Sequence, residues 1–106
     1  MRFNRFNEEL LGHWVLKRED LKALNDYGMV MLKFGRDGIL AYTIFEHEKE
    51  KVILLIYEVH GDEIITYQPS TGNQKEITKY QINEGKLTLN FQGNLSMYER
   101  LPESMI

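Results

Sequence analysis

Histidine and carboxylate side chains are the residues best suited to chemistry in this chain, because the sequence contains no cysteine. The three histidines, His13, His47 and His60, are too far apart for any two to lie on one element as a metal-ligand pair. His13 should point away from the face on which its neighbour Trp14 lies, and the other two adjoin turns. We therefore expect no metal site and no other cofactor.

Glutamates are concentrated around one segment, and paired carboxylates are the usual groups for acid–base catalysis. Lysines alternate with them, which is typical of a solvated turn. The sequence has no Gly-rich phosphate loop, nucleotide fingerprint or Ser-His-Asp arrangement. We expect a protein that is not an enzyme and has no catalytic residue. The segment contains Glu46, Glu48, Glu50, Glu58, Lys49 and Lys51.

Charge and hydropathy argue against two classes of partner. Thirteen basic and sixteen acidic residues give a net charge of −3, and the basic ones form no stripe that would neutralise a nucleic-acid backbone. No segment approaches the roughly 18 apolar residues of a membrane span. Residues 1–9 carry charges where a signal peptide needs an apolar core. We expect a cytoplasmic protein that does not bind nucleic acid and does not span a membrane.

Short β-prone segments occupy most of the chain, whose 106 residues suit a single domain over residues 1–106. Eight strands are predicted, over 10–18, 29–34, 39–47, 52–60, 63–68, 76–82, 86–91 and 95–101. Tight hairpins need residues that tolerate positive φ, and the sequence has them at Asp37-Gly38, Gly61-Asp62, Glu84-Gly85 and Gly93-Asn94. No connection is long enough for a crossover helix. The pattern predicts an all-β, antiparallel up-and-down meander.

Two short helical segments are predicted beside the strands. Phe3, Phe6 and Leu10 have helical spacing and indicate a short N-terminal helical turn. Asp20 is a suitable N-cap for a second turn over residues 21–27. Either segment would serve to cover an end of the sheet, and the second has the alternative role of a mobile lid.

Hydrophobic alternation indicates which strands have a solvated face. Leu87, Leu89 and Phe91 should share one buried face of their strand. The segments 39–45 and 52–57 are apolar on both faces, so something must cover their second face. A protein partner, including a second copy of the chain, is one explanation.

The segment Gly12-His13-Trp14 resembles the Gly-Xaa-Trp motif that opens the first strand of lipocalins and related calycins. Gly12 allows the chain to bend, and Trp14 is large enough to fill the narrow end of a barrel. The segment Tyr98-Glu99-Arg100-Leu101 resembles the last strand of that family. The resemblance implies that the strands close into a lipocalin-like barrel and that Arg100 stacks on Trp14 as a cation–π pair.

The chain departs from that family in being short and free of cysteine, and we expect no final helix after Leu101, because few residues follow it. Eight short strands enclose room for side chains or for one small ligand. If a pocket exists, we expect it between the candidate lid and the inner faces of the neighbouring strands. Its predicted lining is Leu24, Tyr27, Met29, Met31, Tyr42, Leu54, Ile56 and Tyr67.

Two functions from different classes follow from these patterns. The first is a binding module for a small hydrophobic or amphipathic ligand, which the lipocalin-like start favours. The second is a protein-interaction or inhibitor module of the immunity type, acting through an apolar sheet face and including the case of a homodimer. The doubly apolar strands favour the second. Because a homodimer can also carry a ligand, the two are compatible.

Overall fold

The chain folds as eight antiparallel strands, which confirms the predicted all-β meander. The structure, a computed structural model, describes residues 7–17, 19–20, 22, 25, 28–46, 49–68, 72 and 74–101. Within these residues, helical geometry is found at Lys22 and Asn25. The strands are β1 Gly12–Leu16, β2 Met29–Phe34, β3 Ile39–Glu46, β4 Lys49–His60, β5 Glu63–Tyr67, β6 Lys75–Asn83, β7 Lys86–Phe91 and β8 Asn94–Arg100.

The strands pair in chain order and close into a barrel. Each strand forms an antiparallel ladder with the next, and β8 returns to β1. That last ladder aligns Trp14 with Arg100 and Leu16 with Tyr98. Closure removes the unpaired edges that an open sheet would present to other chains.

Two local features differ from the sequence-based prediction, and a third prediction falls outside the described residues. β4 begins at Lys49, earlier than the predicted start at Val52, because the β3–β4 ladder runs up to the pair Glu46–Lys49. The turn predicted at Gly93-Asn94 lies one residue earlier, with positive φ at Gln92 and Gly93. Phe3 and Phe6, which carry the predicted N-terminal helical turn, lie outside the described residues.

The core fills the interior of the barrel from the inward side chains of successive strands. Cross-strand partners point to the same face, so the register links Trp14, Leu32 and Tyr42 into one inward row. Full burial of an aliphatic side chain such as that of Leu32 stabilises the fold by roughly 1.5 to 3 kcal/mol. The buried apolar residues are Leu10, Trp14, Leu16, Val30, Leu32, Phe34, Leu40, Tyr57, Val59, Ile64, Leu87 and Tyr98.

Candidate functional site

The two ends of the barrel differ in the turns that border them. The closed end is bordered by residues 7–11 and by the hairpin turns at 35–38, 61–62 and 84–85. The open end is bordered by the connections 17–28, 47–48, 68–74 and 92–93. Because strands alternate in direction around the barrel, each end is built from every second connection.

The closed end is sealed around Trp14. This side chain is fully buried, and its Nε1–H donates a hydrogen bond of 2.8 Å to the carbonyl of Leu10. The guanidinium of Arg100 lies over the ring, 4.3 Å from its centroid. Arg100 also donates to the carbonyl of Leu11 at 2.7 Å and to the carbonyl of Glu9. One arginine therefore ties the last strand to the segment that precedes the first.

Gly12 has a conformation that explains why glycine precedes Trp14 by two positions. Its φ is +114°, and a Cβ placed there would lie 3.1 Å from Nη1 of Arg100. A larger residue would strain the backbone and displace the guanidinium. The Gly-Xaa-Trp pattern thus provides space for the arginine from the other end of the chain.

Further polar contacts hold residues 7–10 against the closed end. Asn7 donates from Nδ2 to the hydroxyl of Tyr80 at 2.8 Å. Arg36 donates to both carboxylate oxygens of Glu8 at 2.8 Å and thereby lowers the pKa of that carboxyl. Leu10, which follows, is completely buried. Residues 7–11 therefore close the barrel at this end.

Tyr57 spans the interior beside the closed end. Its hydroxyl donates to the carbonyl of Gly35 at 2.7 Å, and its ring meets Phe34 edge-on with centroids 5.2 Å apart. Burial raises the pKa of Tyr57 to about 12, and the charge of Asp37 acts in the same direction. The phenol is therefore a structural donor that stays protonated at neutral pH.

The open end is packed unevenly. On the side formed by β1, β2 and β8, the inward residues Leu16, Val30 and Ser96 are buried. On the side formed by β4, β6 and β7, the inward residues Ile53, Glu76, Leu89 and Phe91 are only half-buried. This second side is therefore filled less tightly by the described side chains. It is the candidate binding site.

Polar groups are few among the inward positions of this candidate site. The register places Thr66 and Glu76 opposite each other on the inner face, because Thr66 also faces buried Tyr57. Lys51 occupies an inward position at the start of β4, where it pairs with Ile44. The described lining is thus apolar, with hydroxyls and two charges of opposite sign.

The connection from β1 to β2 is fixed to β8 at the open end. The amide of Lys17 donates to the carbonyl of Met97 at 2.9 Å. The amide of Met97 donates to a carboxylate oxygen of Asp20 at 3.0 Å. The ladder between β1 and β8 ends at the pair Leu16–Tyr98, and these two bonds satisfy the carbonyl and the amide of the next residue on β8, Met97. Asp20 therefore acts as an anchor, and the residues it was expected to cap, Leu21 and Leu24, lie outside the described residues.

The predicted pocket residues do not share one face of the barrel. Tyr42 points inward, whereas Met29 is in an outward register position opposite Phe45, although its side chain packs against the core. Leu24 and Tyr27 lie outside the described residues. The remaining four, Met31, Leu54, Ile56 and Tyr67, occupy outward positions in the register.

These four residues were predicted to lie inside because hydrophobicity alone does not identify the inner face of a strand that is apolar on both faces. The charges at Glu50 and Glu58 were the available signal, since they place the even-numbered positions of β4 outside. The predicted pocket lining omitted the inward residues Ile53, Leu89 and Phe91, although Leu89 and Phe91 were expected on a buried face of their strand.

An apolar surface covers the outside of β3, β4 and β5. Leu54 is 57% exposed, Val52 is 52% exposed, and Ile39 and Phe45 are each 39% exposed. Two open depressions of about 370 and 390 Å³ lie on either side of Ile39. We call this surface the outer apolar face, and it consists of Ile39, Phe45, Val52, Leu54, Ile56 and Tyr67.

Histidines and carboxylates do not converge in the described part of the chain. His13 pairs with Lys33 on the outside of the barrel, and His60 contacts Glu58 at 3.1 Å on the surface. His47 and Glu48 lie outside the described residues. Among the described residues, no group of three His, Asp or Glu side chains is placed to hold a metal ion.

Comparison of the chain with protein-family models, with curated proteins and with solved structures found no match. Within the described residues, no helix has the length and apolar character needed to cross a bilayer. The features of the described residues that bear on function are therefore the closed barrel, the half-buried side of its open end and its outer apolar face.

Proposed function

We propose that this chain is a lipocalin-like binding module, which takes one small apolar or amphipathic ligand into the open end of its barrel. The observation that supports this most is the contrast between two sides of the open end. The inward residues Leu16 and Val30 are fully buried there, whereas Ile53 and Phe91 are only half-buried. An eight-stranded barrel has room for side chains or one small ligand. Here the side chains of β4, β6 and β7 fill part of the open end less tightly than the rest of the interior.

The chemistry of the lining favours a ligand with a long apolar part. Ile53, Leu89 and Phe91 would contact that part, and desolvating these half-exposed groups provides the driving force. Glu76 and Lys51 lie at strand positions near the rim and suit the polar end of an amphipathic molecule. Because apolar contact is not directional, the lining alone supports a class of ligand and not one compound.

The experiment is a thermal unfolding screen with fatty acids of graded length, retinol and haem. A ligand at 100 times its Kd adds about 2.7 kcal/mol to the free energy of unfolding, which corresponds to a rise in Tm of roughly 10 °C for a domain of this size. We expect at least one ligand class to give such a rise. No rise with any of them at saturating concentration would contradict the proposal.

Neighbouring residues on β4 provide a matched pair of variants. Ile53→Lys places a charge on the inner face of the open end, whereas Val52→Lys places the same charge on the outer apolar face. We expect Ile53→Lys to weaken ligand binding at least tenfold and Val52→Lys to leave it unchanged. Equal effects of the two variants would show that the ligand does not lie inside the barrel.

A further inference from the structure

We propose that the open end of the barrel selects an amphipathic cation, which is an apolar chain that ends in a primary ammonium group. This inference rests on the proposed function, because it names the charge of the ligand that would enter there. It is carried by Glu76, a carboxylate on the inner face of the less tightly filled side. The ammonium group would lie against Glu76, and the apolar chain would lie against Ile53 and Leu89.

Glu76 lies on the inner face of β6, close to the start of that strand at the open end. It pairs with Thr66 of β5, which in turn pairs with the buried Tyr57. Cross-strand partners share a face of the sheet. Glu76 is half-buried, whereas its neighbours Lys75 and Ile77 are exposed. The register and the burial pattern therefore agree that this carboxylate belongs to the inner face.

Hydroxyl groups and an aromatic ring occupy the positions around this carboxylate. Thr66 is directly opposite it on β5, and Thr78 is the next inward residue on β6. Phe91 of β7 comes next to Thr78, one position beyond the end of the β6–β7 ladder. All three residues are half-buried. One acidic group, two hydroxyls and a ring thus occupy neighbouring inward positions on three adjacent strands.

An ammonium group matches this set of side chains. It carries N–H donors and no acceptor, whereas carboxylate and hydroxyl oxygens accept hydrogen bonds. The face of an aromatic ring such as that of Phe91 also attracts a cation. Among the described residues, no group donates a hydrogen bond to the Glu76 carboxylate and none forms an ion pair with it. This carboxylate is therefore available to a ligand.

The same arrangement disfavours a ligand with an anionic head group. When a ligand covers the site, the Glu76 carboxylate loses part of its water, and a buried charge is costly unless it is paired. A carboxylate on the ligand would add repulsion between like charges, whereas an ammonium group would supply the pairing. Electrostatic complementarity of this kind discriminates between ligands whose apolar parts are identical.

Lys51 does not provide an equivalent site for an anion. It also occupies an inward register position, near the start of β4. However, Lys51 is exposed, whereas Glu76 is half-buried. An ion pair with an exposed charge gains little, because water and salt screen it. We therefore assign the charge selectivity of the site to Glu76.

Isothermal titration calorimetry of the full chain with decylamine, decanol and decanoate tests the proposal. The probes share one chain and differ in the charge of the head group, and each is used at neutral pH below its critical micelle concentration. We expect decylamine to bind roughly tenfold more tightly than decanol. Decanoate should bind more weakly than decanol. Because decanol has no charge, its binding tests the proposed function alone.

A matched pair of variants tests the residue. Glu76→Gln removes the charge and keeps the size of the side chain, so it should abolish the preference for decylamine and leave the affinity for decanol unchanged. Glu63→Gln is the control, since Glu63 is also half-buried but pairs with Lys79 on the outside of the barrel. It changes the net charge equally and should leave the preference unchanged. Circular dichroism verifies that both variants fold.

The possible failures distinguish this inference from the proposed function. Equal binding of the three probes, or tightest binding of decanoate, would overturn the charge assignment while ligand binding by the barrel stands. A folded Glu76→Gln variant that retains the preference, or an equal loss of preference in Glu63→Gln, would show that Glu76 does not select the ligand. If decylamine, decanol and every ligand of the thermal screen fail to bind, both proposals are wrong.

Discussion

The guanidinium of Arg100 lies 4.3 Å from the centre of the Trp14 ring, and the two residues are direct cross-strand partners in the ladder that closes the barrel. The pair joins the first and last strands. Its arginine also binds the carbonyls of Leu11 and Glu9. The side chain of Arg100 thus stacks on Trp14 and also binds the backbone of residues that precede β1.

Replacement of this arginine should destabilise the barrel. Arg100→Ala removes a cation–π contact of about 0.5 to 2 kcal/mol together with charged hydrogen bonds to two carbonyls, so we expect a loss of about 1 to 3 kcal/mol. Arg100→Lys retains the charge but cannot reach both carbonyls and should lose less. Urea unfolding followed by the fluorescence of Trp14, the single tryptophan, measures both. Equal stability of Arg100→Ala and the wild-type chain would contradict this role.

A side chain at Gly12 should destabilise the fold. Gly12→Ala places a methyl group 3.1 Å from Nη1 of Arg100 at a φ of +114°, and the strain should cost about 1 to 3 kcal/mol. Gly61→Ala is the control, since its φ of +61° is also positive but nothing lies within 4 Å of the added carbon. Unfolding of both variants in urea should show the larger loss at Gly12. If the two losses are equal, contact with Arg100 is not the cause.

Tyr57 should make the stability of the fold sensitive to alkali. Its pKa is raised from 10.0 to about 12 in the folded chain, so the folded state holds the phenol proton more tightly than the unfolded state. The stabilisation is complete below pH 10 and is lost as the pH rises toward 12. Tyr57→Phe should remove this dependence and also cost about 1 kcal/mol at neutral pH, because the hydrogen bond to Gly35 is lost.

Two measurements check the tyrosine prediction. Absorbance titration near the tyrosinate band should lose a late component, with a midpoint of about 12, in Tyr57→Phe. Urea unfolding at increasing pH should show a smaller decline for the variant than for the wild-type chain. An unchanged titration curve would mean that Tyr57 ionises with the ordinary tyrosines.

Asp20 should protect one backbone amide on β8. Its carboxylate accepts the amide hydrogen of Met97, and Asp20→Ala removes that acceptor while the bond from Lys17 to the Met97 carbonyl remains. We expect faster hydrogen exchange at Met97 and little change at Ser96. The global stability should fall by about 1 kcal/mol or less, because the site is exposed. Unchanged exchange at Met97 would contradict the anchoring role.

The sequence predicted the strands well, because turn residues and alternation determine them locally. Asp37-Gly38 and Glu84-Gly85 border hairpins as expected. Leu87 and Leu89 share the inner face of β7, where lysine and threonine mark the other side. Such strands carry a polar face, and this face identifies the buried one.

The lining of the interior could not be predicted equally well. In β3, from Ile39 to Phe45, no outward residue is charged, so the two faces look alike in the sequence. The closure of the barrel decides which face is inside, and closure depends on contacts between residues far apart in the chain. For the same reason Leu54 and Tyr67 were expected inside and lie outside.

The ladder between β1 and β8 also has a consequence for the speed of folding. Arg100 and Leu11 are 89 positions apart, whereas the other ladders join strands that follow one another in the chain. Bringing distant segments together costs more chain entropy than forming a hairpin. We therefore expect the hairpins to assemble first and the ring to close in the rate-limiting step, so that a weaker Arg100 contact slows refolding more than a weakened hairpin does.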